Sequence, residues 1–316
     1  MKKIVIFGGG SGLSQLLKGL KLFPVEITAV VTVADNGTST GRLRRELKIP
    51  AVGDITKVML SMANMPREVH ELMNYRFTKS KTIGNHSVKN LLLTALLDLQ
   101  GSLDKAIPIL GEMLNLKGTI LPLTEDNIDL VGITEDGKRI VGEEQVTKSA
   151  SKIKTLEYDK DFVVNPKIIT ALHEADLIIL SSGSLLTSII PHLISKDLVK
   201  EIKKAKAPKM YVCNLFTQPG ETDGFTVKDH VDLIENRLGK NVLNVVIANN
   251  AIMSSRLAAK YASEEQKDPV LLDEAEFKDS QIKIICDKLF TIEEETYRHD
   301  SLKTAYLIFS YLMDGQ

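Results

Sequence analysis

Short apolar runs and amphipathic stretches alternate along most of this chain. The runs with the length and apolar character of strands are Lys3–Phe7, Glu26–Val33, Thr119–Pro122, Asp129–Ile133, Leu177–Leu180, Lys209–Asn214 and Asn244–Ala248. The stretches with apolar residues at helical spacing are Ser11–Leu22, Thr56–Ala63, Ser87–Leu99, Asp104–Leu114, Pro166–His173, Thr187–Ile194, Asp197–Ala205, Val227–Arg237 and Ser301–Met313. Because most runs are apolar on both faces, the pattern predicts an α/β fold with a doubly wound, mostly parallel sheet between helices.

One segment, residues 121–146, breaks this alternation. Glu135-Asp136-Gly137-Lys138 is typical of a hairpin turn, and a strand-like run follows at Arg139–Val141. We therefore expect one Rossmann-like α/β domain over residues 1–316, with a β-hairpin insertion or edge subdomain at residues 119–146. The charged stretch Lys260–Phe277 has little periodicity, which predicts a surface excursion.

Composition narrows the class of protein. The apolar fraction of 43% is ordinary for a globular chain, and the net charge of −1 gives no field that attracts nucleic acid or an acidic membrane. No apolar stretch approaches the roughly 18 residues that span a bilayer, and the first run is too short for a signal peptide. A cytoplasmic location is therefore expected. Cys213 and Cys286 lie in apolar runs, which favours buried thiols over a disulfide framework.

The residues after the first apolar run suit a phosphate. Gly8-Gly9-Gly10-Ser11-Gly12 leads into an amphipathic helix, and such a turn directs backbone N–H groups and a helix N-terminus at an anion. Leu13 occupies the third glycine position of the dinucleotide fingerprint G-x-G-x-x-G, which counts against a nicotinamide-dependent oxidoreductase. A tight turn without a ligand is the structural alternative.

A polar segment follows the second predicted strand. Asp35 is suited to bind a ribose hydroxyl or a divalent metal. Ser39 and Thr40 are suited to donate to phosphate, and Arg42 or Arg44 to pair with it. The alternative is a solvated loop with a capping Asp35.

Two predicted helix starts carry further candidates. His86 is suited to act as a general acid or base or to bind an anion, while Ser87 or Asn85 can simply cap the helix. Gly183 and Ser184 belong to a second strand–turn–helix unit that suits an anionic or hydroxylated ligand, or forms a plain cap. We expect the two turns to flank the topological switch point of the sheet.

The remaining polar candidates lie in the second half of the chain. Asn214, Thr217 and Gln218 offer amide and hydroxyl groups for a base or sugar, although this segment alone indicates a turn. Arg298 can reach a phosphate or remain solvated. The sequence contains no Walker lysine motif, HExxH, paired CxxC or Ser-His-Asp order, so P-loop, zinc and serine-hydrolase functions have no support.

In their order, these segments resemble the gluconeogenesis factor (YvcK-like) family, whose members share a fold with 2-phospho-L-lactate transferase, the CofD enzyme. The shared segments are Gly8–Leu13, Thr32–Arg44, Pro50–Asp54, Gly84–Leu93, Gly183–Pro191, Asn214–Thr222 with Asp229-His230, and Arg298–Ala305. The resemblance implies a cytoplasmic protein that binds a nucleotide sugar, with UDP-N-acetylglucosamine as the expected ligand. It also implies a role in cell shape and cell-wall synthesis on gluconeogenic carbon sources.

The resemblance further implies which residues contact the ligand. For the diphosphate they are Gly9, Gly10, Ser11 and Gly12, and for the ribose or sugar Asp35, Asn36, Gly37 and Ser39. The other expected contacts are His86, Ser87, Asn90, Gly183, Ser184, Asn214, Thr217, Gln218 and Arg298. Asn36 replaces the second of two consecutive acids usual in the family, which leaves Asp35 as the expected metal ligand. Lys89 stands where the family's helix-opening motif often has glycine.

Two functions stay open at this point. The first is a regulatory nucleotide-sugar-binding protein that needs no cofactor, forms a homo-oligomer and acts on a cell-wall or signalling protein. The second is a CofD-like transferase with a nucleoside-diphospho donor, in which Asp35 binds Mg²⁺ and His86 assists proton transfer. Neither nucleic acid nor membrane insertion is expected.

Overall fold

The computed structural model describes residues 1–80, 82–149, 151–293 and 296–314. The strands, in chain order, are β1 (Lys2–Gly8), β2 (Val25–Val31), β3 (Thr119–Pro122), β4 (Leu130–Thr134), β5 (Arg139–Val141), β6 (Ile153–Tyr158), β7 (Leu177–Leu180), β8 (Lys209–Val212), β9 (Val245–Asn249), β10 (Lys283–Asp287), β11 (Phe290–Glu293) and β12 (Thr296–His299).

The α-helices, in chain order, are α1 (Gly10–Leu20), α2 (Thr38–Leu47), α3 (Gly53–Met62), α4 (Arg67–Asn74), α5 (Val88–Gln100), α6 (Leu103–Met113), α7 (Glu143–Thr147), α8 (Pro166–Glu174), α9 (Lys196–Lys204), α10 (Val227–Leu238), α11 (Ser255–Glu264) and α12 (Ser301–Met313). None of the helices within the described ranges is long and apolar enough to cross a membrane.

Within the described residues, the main sheet has the strand order β3-β2-β1-β7-β8-β9-β10, and every neighbouring pair is parallel. The chain runs outward from β1 to β3 and then returns to β7 on the other side of β1. The predicted doubly wound, Rossmann-like sheet is therefore confirmed. Its topological switch point lies between β1 and β7, where a ligand crevice is expected at the carboxyl ends of the strands.

Apolar packing on both sides holds the sheet. Ile4 to Phe7 of β1 and all of β7 and β8 are buried. Helix α1 packs against α3 and α12, whereas α9 packs against α8 and α10. Crossover connections between parallel strands are right-handed. The chain moves outward in one direction from β1 to β3 and in the other direction from β7 to β10. The two helix groups therefore cover opposite faces of the sheet. The loops after the strands are thereby left free at one edge.

Two small antiparallel sheets accompany the main sheet, β5-β4-β6 and β11-β12. The predicted hairpin is confirmed as β4 and β5, with Gly137 at a φ of 82° in its turn. The insertion boundaries differ from residues 119–146. Strand β3 pairs with β2 in the main sheet, and β6 completes the small sheet beyond residue 146.

Several elements depart from the sequence prediction. The expected helix Thr187–Ile194 is instead a π-helical turn over Leu185–Ile189 followed by a 3₁₀ turn over Ile190–Leu193. The expected surface excursion Lys260–Phe277 is only partly one, because Tyr261 on α11 and Phe277 at the end of a 3₁₀ turn are buried. Cys213 is buried and Cys286 half-buried, and both are free thiols.

Candidate functional site

The two predicted glycine turns meet at the switch point between β1 and β7. A Cβ atom on Gly12 would overlap the Ser182 carbonyl oxygen and stand 2.6 Å from the Gly183 Cα, so only glycine permits this approach. Helix α1 has no side-chain cap at Gly9, and its first turn opens on the crevice. The turn therefore offers backbone N–H groups and the positive end of a helix dipole to an anion.

A cavity of about 520 Å³ opens beside this turn, lined by Ser11, Gly12, Asn214, Phe216, Tyr261 and Arg298 among others; we call it the aromatic cavity. Phe216 stacks on Tyr261 with ring centroids 4.4 Å apart. The Tyr261 hydroxyl oxygen accepts a 2.9 Å hydrogen bond from the Tyr297 backbone N–H, which fixes α11 against β12. The cavity thus combines an aromatic wall with the anion-suited turn.

Two polar groups in the aromatic cavity are without partners. The Asn214 side chain lines the cavity, and its buried Oδ1 has no hydrogen-bond partner among the described residues, which leaves an acceptor unsatisfied beside the cavity. Both ring nitrogens of His299 are also buried without partners, and burial lowers the pKa of His299 to about 4, which keeps the ring neutral. Sequence reasoning missed His299, although it follows Arg298 directly.

Other predicted contacts of this cavity are already engaged within the protein. The Thr217 hydroxyl accepts a 2.9 Å hydrogen bond from the Asp268 N–H, and the Gln218 amide donates to Glu221 at 3.0 Å. Ser184 donates its hydroxyl to the buried Glu221, and burial raises the pKa of that carboxyl. Arg298 is exposed at the rim, and no carboxylate pairs with it among the residues that the structure describes.

A second cavity of about 400 Å³ lies on the β2 side, lined by Asp35, Ser39, Asp54, Lys57, Arg76, Lys89 and Asn90 among others; we call it the polar cavity. Asp35 Oδ1 accepts a 2.9 Å hydrogen bond from the Gly37 N–H. Its Oδ2 lies so close to Gly53 that a Cβ there would overlap it. The Asp35 carboxylate is therefore held against the start of α3.

Asp54 places a second carboxylate beside Asp35. A Cβ on Gly9 would stand only 2.8 Å from Asp54 Oδ2, and the Gly10 N–H donates to this carboxylate. Burial, and then the charge of Asp35, raise the pKa of Asp54 to about 7, although Lys57 opposes the shift. The only sequence signal for Asp54 was its place in the shared segment Pro50–Asp54.

A third acid comes from the insertion. Glu143 opens α7 and hydrogen-bonds to Thr187 beyond β7. Burial, with the charges of Asp35 and Asp54, raises the pKa of Glu143 to about 8. No sequence pattern pointed to this residue, because only the folded chain brings α7 to the switch point.

Asn36 turns away from the polar cavity and holds α7. Its Oδ1 accepts a 2.8 Å hydrogen bond from the Glu144 N–H, and its Nδ2 donates to Gln145 Oε1 at 3.0 Å. The side chain thus satisfies one of the free N–H groups at the start of this helix. Asp35 therefore lines the polar cavity, whereas its neighbour Asn36 binds the insertion.

His86 lies behind the polar cavity rather than on its wall. Its Nδ1 is 2.9 Å from the Ser39 hydroxyl oxygen, and burial followed by the Arg42 charge lowers its pKa. Asn90 lines the cavity and accepts a 2.7 Å hydrogen bond from the Thr56 hydroxyl. Ser87 is buried, and its hydroxyl makes no hydrogen bond. His86 therefore reaches the cavity only through Ser39.

The prediction that Arg42 or Arg44 pairs with a phosphate is wrong for Arg44. This buried guanidinium donates to Asp129 Oδ1 at 2.9 Å, to Asn127 Oδ1 at 2.8 Å and to the Ile128 carbonyl at 2.7 Å. It joins α2 to the insertion. Arg42 donates to the Gly84 carbonyl.

Within the described ranges, no group of three or more His, Cys, Asp or Glu is arranged to hold a metal ion. Asp35 and Asp54 supply two carboxylates, and oxygen ligands of this kind suit Mg²⁺ when a ligand phosphate and water complete its shell. Burial and the neighbouring charge of Asp35 raise the pKa of Asp54. A divalent cation would offset the repulsion between the two carboxylates. The donor set therefore fits Mg²⁺ together with a phosphorylated ligand.

The strand order, the paired glycine turns and the two cavities define a Rossmann-like α/β protein whose crevice suits a phosphorylated ligand. The profile of the family described as 2-phospho-L-lactate transferase CofD matches residues 4–290. The gluconeogenesis factor of Bacillus subtilis strain 168 is 38% identical over 313 residues, covering 99% of this chain and 98% of that protein. The gluconeogenesis factor of Halalkalibacterium halodurans is 37% identical over 308 residues, covering 97% and 95%.

A solved structure of a UPF0052 family protein from Bacillus halodurans matches with a TM-score of 0.93 at 37% identity. It covers 98% of this chain, which in turn covers 99% of that one. The chain belongs to the CofD family and groups within it with the gluconeogenesis factors.

Proposed function

We propose that this protein is a regulatory binder of a nucleotide sugar such as UDP-N-acetylglucosamine. The observation that carries the proposal is the meeting of an anion-suited glycine turn with an aromatic cavity that holds an unpartnered buried Asn214 oxygen. A nucleoside needs a stacking surface and a hydrogen-bond acceptor, and a diphosphate needs N–H groups. The names of its relatives support a role in gluconeogenesis. We propose in addition a role in cell shape and cell-wall synthesis on gluconeogenic carbon sources.

In this arrangement the nucleoside lies in the aromatic cavity and the diphosphate above Gly9–Gly12. Arg298 reaches the diphosphate from the rim, because its guanidinium has no carboxylate partner among the described residues. The sugar extends over Asp35 toward the polar cavity. Asp54 lies close beneath the diphosphate, so binding is favoured when a proton or Mg²⁺ offsets its charge.

A second function is favoured by one observation. Asp54 supplies the second carboxylate that the sequence lacks at position 36, so the Mg²⁺ site of a CofD-like transferase can form with Asp35. In that reaction Asp35 and Asp54 would hold the ion, and the ion would supply charge stabilisation for a transferring phosphoryl group. His86 would act through Ser39 to orient the acceptor.

Calorimetric titration with UDP-N-acetylglucosamine, with and without Mg²⁺, tests both functions. We expect binding to the full chain, and we expect Arg298→Ala to weaken it about tenfold, as loss of one charge-assisted contact does. Arg67→Ala is the matched control, since Arg67 is exposed on α4 and, among the described residues, forms its ion pair with Glu71. Release of nucleoside phosphate at a catalytic rate would replace the regulatory function by the transferase. Absence of any heat with the uridine nucleotide would reject the binder.

A further inference from the structure

Three cations face the polar cavity from different parts of the chain: Lys57 on α3, Arg76 before α5 and Lys89 on α5. Lys89 Nζ donates to Asn74 Oδ1 at 2.7 Å, and Arg76 Nη1 donates to the Asn85 carbonyl at 2.7 Å. Both acceptors are neutral. In the part of the chain that the structure describes, no carboxylate forms an ion pair with any of the three.

The three charges act on one another across a short distance. Burial, followed by the charges of Arg76 and Lys57, lowers the pKa of Lys89 to about 8. Asp35 and Asp54 line the same cavity on the side of the glycine turn. The polar cavity therefore has an acidic end beside that turn and a basic end formed by Lys57, Arg76 and Lys89.

Cations that converge on one end of a cavity favour an anionic ligand there. The amide side chains of Asn85 and Asn90 line the same cavity and provide donors for oxygen atoms. A volume of about 400 Å³ accommodates a sugar or a small organic acid.

We propose that the basic end of the polar cavity binds a carboxylate or phosphate group. The proposal deepens the proposed function, because it rests on the nucleotide occupying the neighbouring glycine turn. The anionic group has two sources. It either belongs to the sugar of the bound nucleotide, as in an acidic nucleotide sugar, or to a separate small phosphorylated or carboxylated molecule that binds beside a neutral sugar.

Calorimetry on the full chain separates the two sources. In one arm, UDP-glucuronic acid is compared with UDP-glucose, which lacks only the carboxylate. In the other arm, inorganic phosphate is titrated into protein saturated with UDP-N-acetylglucosamine and into protein without nucleotide. An acidic sugar predicts about tenfold tighter binding of UDP-glucuronic acid, and a separate anion predicts phosphate binding in the second arm.

The variant Lys57→Gln is expected to weaken either effect at least about fivefold more than it weakens UDP binding. Lys57 is exposed, so this variant should fold; Lys89→Gln is the second variant, on the half-buried cation. Lys206→Gln is the control, because Lys206 is exposed and precedes the amino-terminal end of β8, whereas the polar cavity lies at the carboxyl ends of the strands. If UDP-glucose binds at least as tightly as UDP-glucuronic acid and phosphate does not bind, the anion site is overturned. Binding of the uridine nucleotides in that case still supports the proposed function.

Two further results distinguish failure of the anion site from failure of the proposed function. Equal loss of UDP and phosphate binding in Lys57→Gln overturns the proposal, since the lysine then serves the nucleotide. Failure of every uridine nucleotide, together with phosphate binding that depends on Lys57, rejects the proposed function but supports an anion site at the basic end.

Discussion

Replacing Glu143 by glutamine should stabilise the protein, and more so as the pH rises. Glu143 lies half-buried beside Asp35 and Asp54, and the pKa of this carboxyl is raised to about 8. A raised pKa means that the folded state binds more protons than the unfolded chain between pH 4.5 and about 8. The free energy of unfolding of the wild type therefore falls as the pH rises through this window, because the half-buried Glu143 carboxyl must give up its proton.

The size of the effect follows from the pKa. The difference between 4.5 and about 8 corresponds to about 5 kcal/mol of unfolding free energy once the group is fully charged. Most of this difference, about 4 kcal/mol, develops between about pH 5 and pH 9. Because Glu143 keeps partial contact with water, we expect about half of that, so Glu143→Gln gains about 2 kcal/mol on the wild type over this range.

Urea unfolding followed by circular dichroism at about pH 5 and pH 9, with a chelator present, measures the gain. For a chain of this size, about 2 kcal/mol also appears as a rise of about 3 °C in Tm. Glu144→Gln is the control, because Glu144 adjoins Glu143 on α7 but pairs only with the exposed Lys148. A variant that is no more stable than the wild type at high pH would show that Glu143 is not an uncompensated charge.

Two other substitutions test the packing of the site. Arg44→Met should destabilise the protein by about 3 kcal/mol in urea unfolding, because it leaves Asp129 and two carbonyl groups without their buried donor. The control Arg45→Met changes an exposed side chain and should cost under about 0.5 kcal/mol. Equal effects of the two variants would contradict the buried role of Arg44. Gly12→Ala should cost about 2 kcal/mol or more and abolish UDP-N-acetylglucosamine binding, because its methyl group meets the Ser182 carbonyl; a variant that melts and binds like the wild type would refute this contact.

Six strands of the main sheet were predictable because they are largely buried and have the sequence of apolar runs, whereas the half-buried edge strand β10 was missed. Thr119–Pro122 and Leu177–Leu180 have the predicted bounds. Strand Ile153–Tyr158 was missed because it is half-buried and because Lys154 and Thr155 interrupt both an apolar run and a strict alternation. Helix Thr38–Leu47 was missed because the buried guanidinium of Arg44, rather than an apolar face alone, fastens it.

The acidic part of the site was less predictable than the glycine turns. The turns carry their chemistry in consecutive residues, so their sequence is a local signal. Asp35, Asp54 and Glu143 come from three distant segments, and only the tertiary fold sets their spacing and raises the pKa values of Asp54 and Glu143. For the same reason, the basic residues Lys57 and Arg76 carried no signal before the polar cavity was seen.

The side chains of Asp35 and Asn36 point to opposite sides of one peptide unit. Asp35 faces the polar cavity, while Asn36 holds the first turn of α7 through two hydrogen bonds. Asn36 is therefore the covalent neighbour that joins the Asp35 carboxylate to the first turn of α7, and α7 in turn packs against β4 and β5 of the insertion. Under the proposed function, we expect a ligand that moves Asp35 to move the insertion as well.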